Sequence, residues 1–124
     1  MQLIEFVLHL KKKYSNMDFK DDKVIMDMNY DICNYLIDRK NGELYVDVYK
    51  ERYKGETLSN IAKKNNVSLD VVRNCLNKIR TMVEYLKNSG IELERFSNFK
   101  ERKYTYSEET LKKIEEKRNN LYKK

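Results

Sequence analysis

Asp70, Arg73, Asn74 and Asn77 stand at i, i+3, i+4 and i+7, a spacing that puts all four on one face of an α-helix. Their types suit the reading of base edges. An arginine fork donates to guanine O6 and N7, and an asparagine amide pairs with adenine N6 and N7. A face that meets only solvent more often carries Glu and Lys. Ser68 and Leu69 begin the same segment and would lie nearest the bases. Thr57, Ser59, Lys63, Lys64, Lys78 and Arg80 surround it as donors to phosphate, together with the amide groups at helix starts. Each single lysine is equally well explained by surface solubility, so the set matters more than any one cation.

Two helices and a short turn must hold these side chains. Thr57 is placed to cap a first helix running to about residue 65, and Ser68 to cap a second from 69 to about 88. Ala62, small and next to Ile61, lets the second helix cross the first closely. Asn65-Asn66 falls where the chain needs a left-handed residue, a role Asn fills best after Gly. Val67 plugs the corner. Val72, Cys75, Leu76, Ile79, Val83 and Leu86 then form an unbroken apolar stripe opposite the polar face. These demands, met in this order, are those of a helix-turn-helix that sets its second helix in the major groove of double-stranded DNA. An ordinary helical hairpin within a bundle is the plainer account of the same periodicity.

Residues 48–86 resemble region 4 of bacterial sigma factors and related phage and bacterial transcription regulators. The shared pattern is Glu51-Arg52-Tyr53, Gly55, Thr57-Leu58, Ile61-Ala62, Val67-Ser68, Val72-Arg73 and Lys78-Ile79-Arg80. The resemblance implies a DNA-binding fold of about four helices that reads promoter DNA through the second helix of the pair, often while touching RNA polymerase. It also implies that Arg73 faces DNA. At Asn65-Asn66 the chain departs from the apolar-Gly pair usual in that family.

Charge points the same way. The 124 residues carry a net charge of +6. Residues 1–56 hold 10 basic and 11 acidic side chains, residues 57–90 hold 6 and 2, and residues 91–124 hold 10 and 7. The excess therefore begins at the helix pair, as a polyanionic partner requires.

The remaining segments read as supports. Proline is absent and there are only 3 glycines, which favours a mainly α-helical bundle in a single domain spanning 1–124, with the helix-turn-helix core at about 43–88. Residues 3–14 form a helix whose stripe is Leu3, Ile4, Val7, Leu8 and Leu10; core packing explains it better than a membrane surface. Val24, Ile25, Met28, Ile32, Tyr35 and Leu36 mark a helix over 23–39, capped by Asp21 or Asp22 and ended by Asn41-Gly42 through a left-handed glycine. Residues 43–54 form a third, with Tyr45, Val48, Tyr49 and Arg52 on one face, stopped by Gly55. After Gly90, residues 91–106 are either a short β-hairpin or an ordered loop. Ser107 caps a last, basic helical extension over about 107–122, which either adds to the cationic surface or pairs two protomers.

Several function classes find no support. A lone His9, no CxxC and no Gly-rich phosphate loop leave no metal set and imply no cofactor. Asp21-Asp22, Glu108-Glu109 and Glu115-Glu116 are adjacent pairs that diverge on a helix, so no catalytic acid–base set converges and an enzyme is not expected. Most of the ten Tyr and four Phe fall at stripe positions, so packing explains them better than stacking on single-stranded bases. Cys33 and Cys75 read as two buried reduced thiols of a cytoplasmic protein, with no signal peptide and no run long enough to span a bilayer. The expectation is sequence-specific binding of double-stranded DNA by a transcription regulator, as a homodimer if one unit reads too few base pairs. The alternative is an interaction module that binds RNA polymerase or another regulator without reading DNA.

Overall fold

The computed structural model of the chain describes residues 1–100 and Lys113. Among these residues the chain runs through helices α1 (Leu3–Lys13), α2 (Asp22–Ile37), α3 (Gly42–Tyr53), α4 (Leu58–Asn65) and α5 (Leu69–Asn88), then a 3-10 helix, Glu94–Phe99. The architecture is mainly helical, and no described residue lies in a strand. The expected extension at 107–122 lies outside the described residues apart from Lys113, which is helical and exposed. Residues 101–106 of the expected hairpin or loop also lie outside them.

Helix α5 is the axis of the core. Its buried residues are Val72, Cys75, Leu76, Ile79, Met82, Val83 and Leu86, the expected stripe with Met82 added. It packs against α1, α3, α4 and the 3-10 helix, while α2 lies chiefly against α3. Each fully buried aliphatic side chain contributes about 1.5–3 kcal/mol relative to exposure, so this one face outweighs any surface interaction in the chain. Asp21, Thr57 and Ser68 cap α2, α4 and α5 through their side chains, as expected from sequence.

The turn between α4 and α5 closes on Asn66, which is left-handed at φ 53°. Val67 N–H donates to the Ala62 carbonyl at 3.0 Å and Asn66 N–H to that of Lys63 at 3.2 Å. These two bonds satisfy carbonyls left over at the end of α4. Asn65 has its own use: its amide donates to the Ile61 carbonyl at 2.9 Å.

Three expectations need correcting. The buried face of α1 is Phe6, Val7 and Leu10, continued by Tyr14 just beyond the helix, whereas Ile4 and Leu8 are exposed. On that face α1 packs chiefly against α5, the Phe6 ring stacks on Tyr35 at 4.2 Å, and the Tyr14 hydroxyl donates to Asp31 at 2.6 Å. The residue with left-handed backbone after α2 is Asn41, at φ 60°; Gly42 opens α3 instead. Glycine is needed at 42 for space, since a Cβ there would lie 2.2 Å from the Ile37 carbonyl oxygen. Cys33 is only half-buried, while Cys75 is buried as expected.

After α5 the chain folds back. Ile91, Leu93, Phe96 and Phe99 are all buried, and Phe99 stacks on Tyr49 of α3 at 5.2 Å. The described part of 91–106 is therefore an ordered connection pinned by alternating apolar side chains. No helix among the described residues is long and apolar enough to cross a membrane.

Candidate nucleic-acid interface

Capping fixes how α4 and α5 present their first turns. Thr57 Oγ1 accepts from Asn60 N–H at 3.2 Å, and Ser68 Oγ accepts from Val71 N–H at 3.3 Å. The Glu56 carboxylate accepts from Thr57 N–H at 3.1 Å and from the Asn60 side-chain amide at 2.7 Å. The Asn60 bond, followed by the Thr57 bond, holds the Glu56 carboxyl below its ordinary range, so it stays ionised. The amides of Thr57, Asn60 and Val71 are thus already bonded within the chain. At the start of α4 the Glu56 carboxylate thus lies beside the Thr57 and Asn60 amides.

Every residue on the expected reading face of α5 is exposed: Ser68, Asp70, Arg73, Asn74 and Asn77, with Leu69 half-buried at its edge. The pattern follows from the stripe, since burying Val72, Leu76 and Ile79 turns the residues between them outward. Beside this face runs a groove of about 530 Å³, lined by Arg52, Thr57, Ser59, Leu69, Arg73, Asn77, Arg80 and Lys100, with Gly55 and Leu58. Six of the twelve residues expected from sequence meet there. Among the described residues the lining holds four cations and no acid, so those residues make the potential inside positive, and low-dielectric walls focus it.

The groove is braced from both sides. Arg80 donates through Nε to the Phe99 carbonyl at 2.6 Å and through Nη1 to Asn77 Oδ1 at 2.9 Å. Arg52 donates through Nη1 to the Glu56 carbonyl at 2.8 Å. The Asn98 amide donates to the Tyr53 carbonyl at 2.8 Å and ties the 3-10 helix to the end of α3. Bonds to neutral oxygens orient the Arg80 guanidinium without cancelling its charge. Arg73 is held more loosely, 3.4 Å from Asp70.

Other expected residues lie elsewhere. Lys64 Nζ is 2.7 Å from Glu51 of α3; this hydrogen bond raises the lysine pKa and lowers that of the carboxyl. Lys78 lies over the Tyr45 ring, 5.9 Å from its centroid, in a second groove with Tyr35, Arg39 and Lys40. Lys63 is exposed on α4 outside the main groove. Sequence reasoning missed two groove cations. Arg52 reads as part of the inward face of α3, and its half-burial agrees with that, yet it also reaches the groove. Lys100 arrives through the turn that Phe96 and Phe99 anchor. The signal for it was that apolar spacing, which says the chain returns to the core but not where it emerges. Among the described residues no group of His, Cys, Asp or Glu could hold a metal ion. No family model, no curated protein and no solved structure matches this chain.

Proposed function

We propose that the protein binds double-stranded DNA through α4 and α5 as a helix-turn-helix and regulates transcription, in the manner of sigma region 4. The observation that carries this reading is the pairing of two surfaces. The outward face of α5 bears Arg73, Asn74 and Asn77, and a groove with four cations and, among the described residues, no acid adjoins it. Helix α5 is about 30 Å long by its 20 residues, enough to lie along a major groove with its first turns at the bases. In this reading Arg73, Asn74 and Asn77 read base edges, and Ser68, Leu69 and Asp70 shape the contact at the helix start. Arg52, Ser59, Arg80 and Lys100 hold one phosphate strand.

Selection of genomic fragments by the purified chain, read by sequencing, tests this proposal. A shared motif is expected, and pseudo-palindromic halves about 10 base pairs apart would show dimeric reading. Random fragments with no enrichment, combined with capture of RNA polymerase in the absence of any duplex shift at low salt, would overturn it.

A further inference from the structure

Helix α2 carries a second apolar stripe that lies largely outside the core, with only Cys33 packed partly against it. Met26, Tyr30, Cys33 and Ile37 follow at i, i+4, i+7 and i+11, on a different face from the buried Met28, Ile32 and Leu36. Met26 is 67% exposed, Tyr30 68% and Ile37 44%, whereas apolar side chains on a helix of a small domain are normally scattered singly. Across from them α3 contributes Val46, Tyr49 and Tyr53, and the two helices enclose a groove of about 600 Å³. The stripe runs about 16 Å along α2 by helical rise, the length of three helical turns. A groove of that length, with methionine and cysteine on one wall, suits an apolar helix face with anchors at i, i+3, i+4 and i+7.

The rim says which kind of helix. Lys50 and Lys54, one turn apart on α3, line the groove, and among the described residues no acid does. The Lys50 charge reaches the Cys33 thiol and opposes the rise in pKa that burial produces there. The acids of α2 nearest this region are turned elsewhere: Asp31 is bonded to Lys13 and Tyr14, and Asp27 acts on Tyr14, so both face the α1 side. On α3, Asp47 acts on Lys64 of α4. An apolar trough with a basic edge complements a helix that is apolar on one side and acidic beside it. A second copy of this chain, itself carrying a net +6, fits that edge poorly.

We infer that the groove between α2 and α3 docks an acidic amphipathic helix from a partner protein. No residue of α5 lines it, so this docking and DNA binding occupy separate faces, and either can fail without the other.

The test uses the full chain and three labelled synthetic peptides of about three turns. The first has Leu at i, i+3, i+4 and i+7 with Glu elsewhere, the second has Lys in place of Glu, and the third is a scramble of the first. Fluorescence anisotropy should show the acidic peptide binding at least about tenfold tighter than either control. Tyr30→Ala should weaken it, and Lys50→Glu with Lys54→Glu should shift preference to the Lys peptide. Circular-dichroism melts of these exposed-site variants should match the parent, which separates lost docking from lost folding. Equal binding of the scramble would overturn the inference, as would indifference to the charge reversal. Two further results would do so: sedimentation showing the free chain paired through this face, or NMR contacts in the free chain from Met26 and Ile37 to Leu111 or Ile114.

Discussion

Replacing Arg73 by alanine separates base reading from mere attraction to DNA. The Arg73 side chain is 57% exposed, and its partner Asp70, at 3.4 Å, is 85% exposed. Such a pair contributes at most about 0.5 kcal/mol to stability, so Arg73→Ala should leave the urea midpoint unchanged. If Arg73 reads a guanine, losing the bidentate pair costs about 1–3 kcal/mol of binding, or about 5- to 150-fold in Kd on the preferred duplex. The cost should shrink when that base pair is changed. Salt dependence gives the second readout. Arg52, Arg80 and Lys100 are the groove cations left for phosphate, and three such contacts give a log–log salt slope near −2.7. That slope corresponds to a loss of about 40-fold between ~50 and ~200 mM salt. Arg73→Ala should keep the slope, whereas Lys100→Ala should bring it to about −1.8 and weaken all sequences alike. Anisotropy titrations on a small duplex panel at several salt concentrations measure both quantities. An Arg73→Ala protein that bound every duplex as the parent does would refute the assigned face. Uniform weakening with a shallower slope would make Arg73 a phosphate contact and sink the base-reading argument.

Other outcomes follow from the same geometry. Gly42→Ala drives a Cβ to within 2.2 Å of a backbone carbonyl and should cost about 1–3 kcal/mol or more in urea unfolding; an unchanged midpoint would show that the α2–α3 turn yields freely. Asn66→Ala should cost about 1 kcal/mol because the backbone there is left-handed, while Asn66→Gly should not. Ser68→Ala removes the cap on α5 and should lower stability by about 1 kcal/mol, as followed by thermal melting. Burial raises the pKa of Tyr14 and Tyr49, with Asp31 adding to the shift at Tyr14. Both stay neutral in the folded chain after an unfolded tyrosine would ionise. Their contribution is therefore complete below about pH 10 and declines above it. Each should take away about 1.4 kcal/mol per pH unit there, and Tyr14→Phe should remove one share of that slope.

Much of this chain is local in origin and therefore legible in its sequence. Helix α5 announces itself because a 20-residue stripe must bury one face, and Asp21, Thr57 and Ser68 cap because their side chains reach amides two or three residues on. The outward set on α5 follows from the same period. Periodicity is less decisive where two apolar arcs compete on one helix. In α1 packing against α5, with Phe6 stacked on Tyr35, buries Phe6, Val7 and Leu10 and leaves Ile4 and Leu8 outside. In α2 the second stripe stayed uncovered because α3 fills only one side of the helix. Neither choice is visible without the neighbouring helix.

The sequence by itself determined the helices, their caps, the left-handed turn and which side of α5 looks outward, because each depends on residues within one or two turns. Only the tertiary structure decided which cations share a groove. Arg52 and Lys100 join Arg73 and Arg80 because α3 and the chain after Phe99 converge on α5. Lys64 and Lys78, closer in sequence to Arg73, are drawn off to Glu51 and Tyr45. Charge can be counted along a chain, but the potential at a surface depends on distances in space, and those are set by packing.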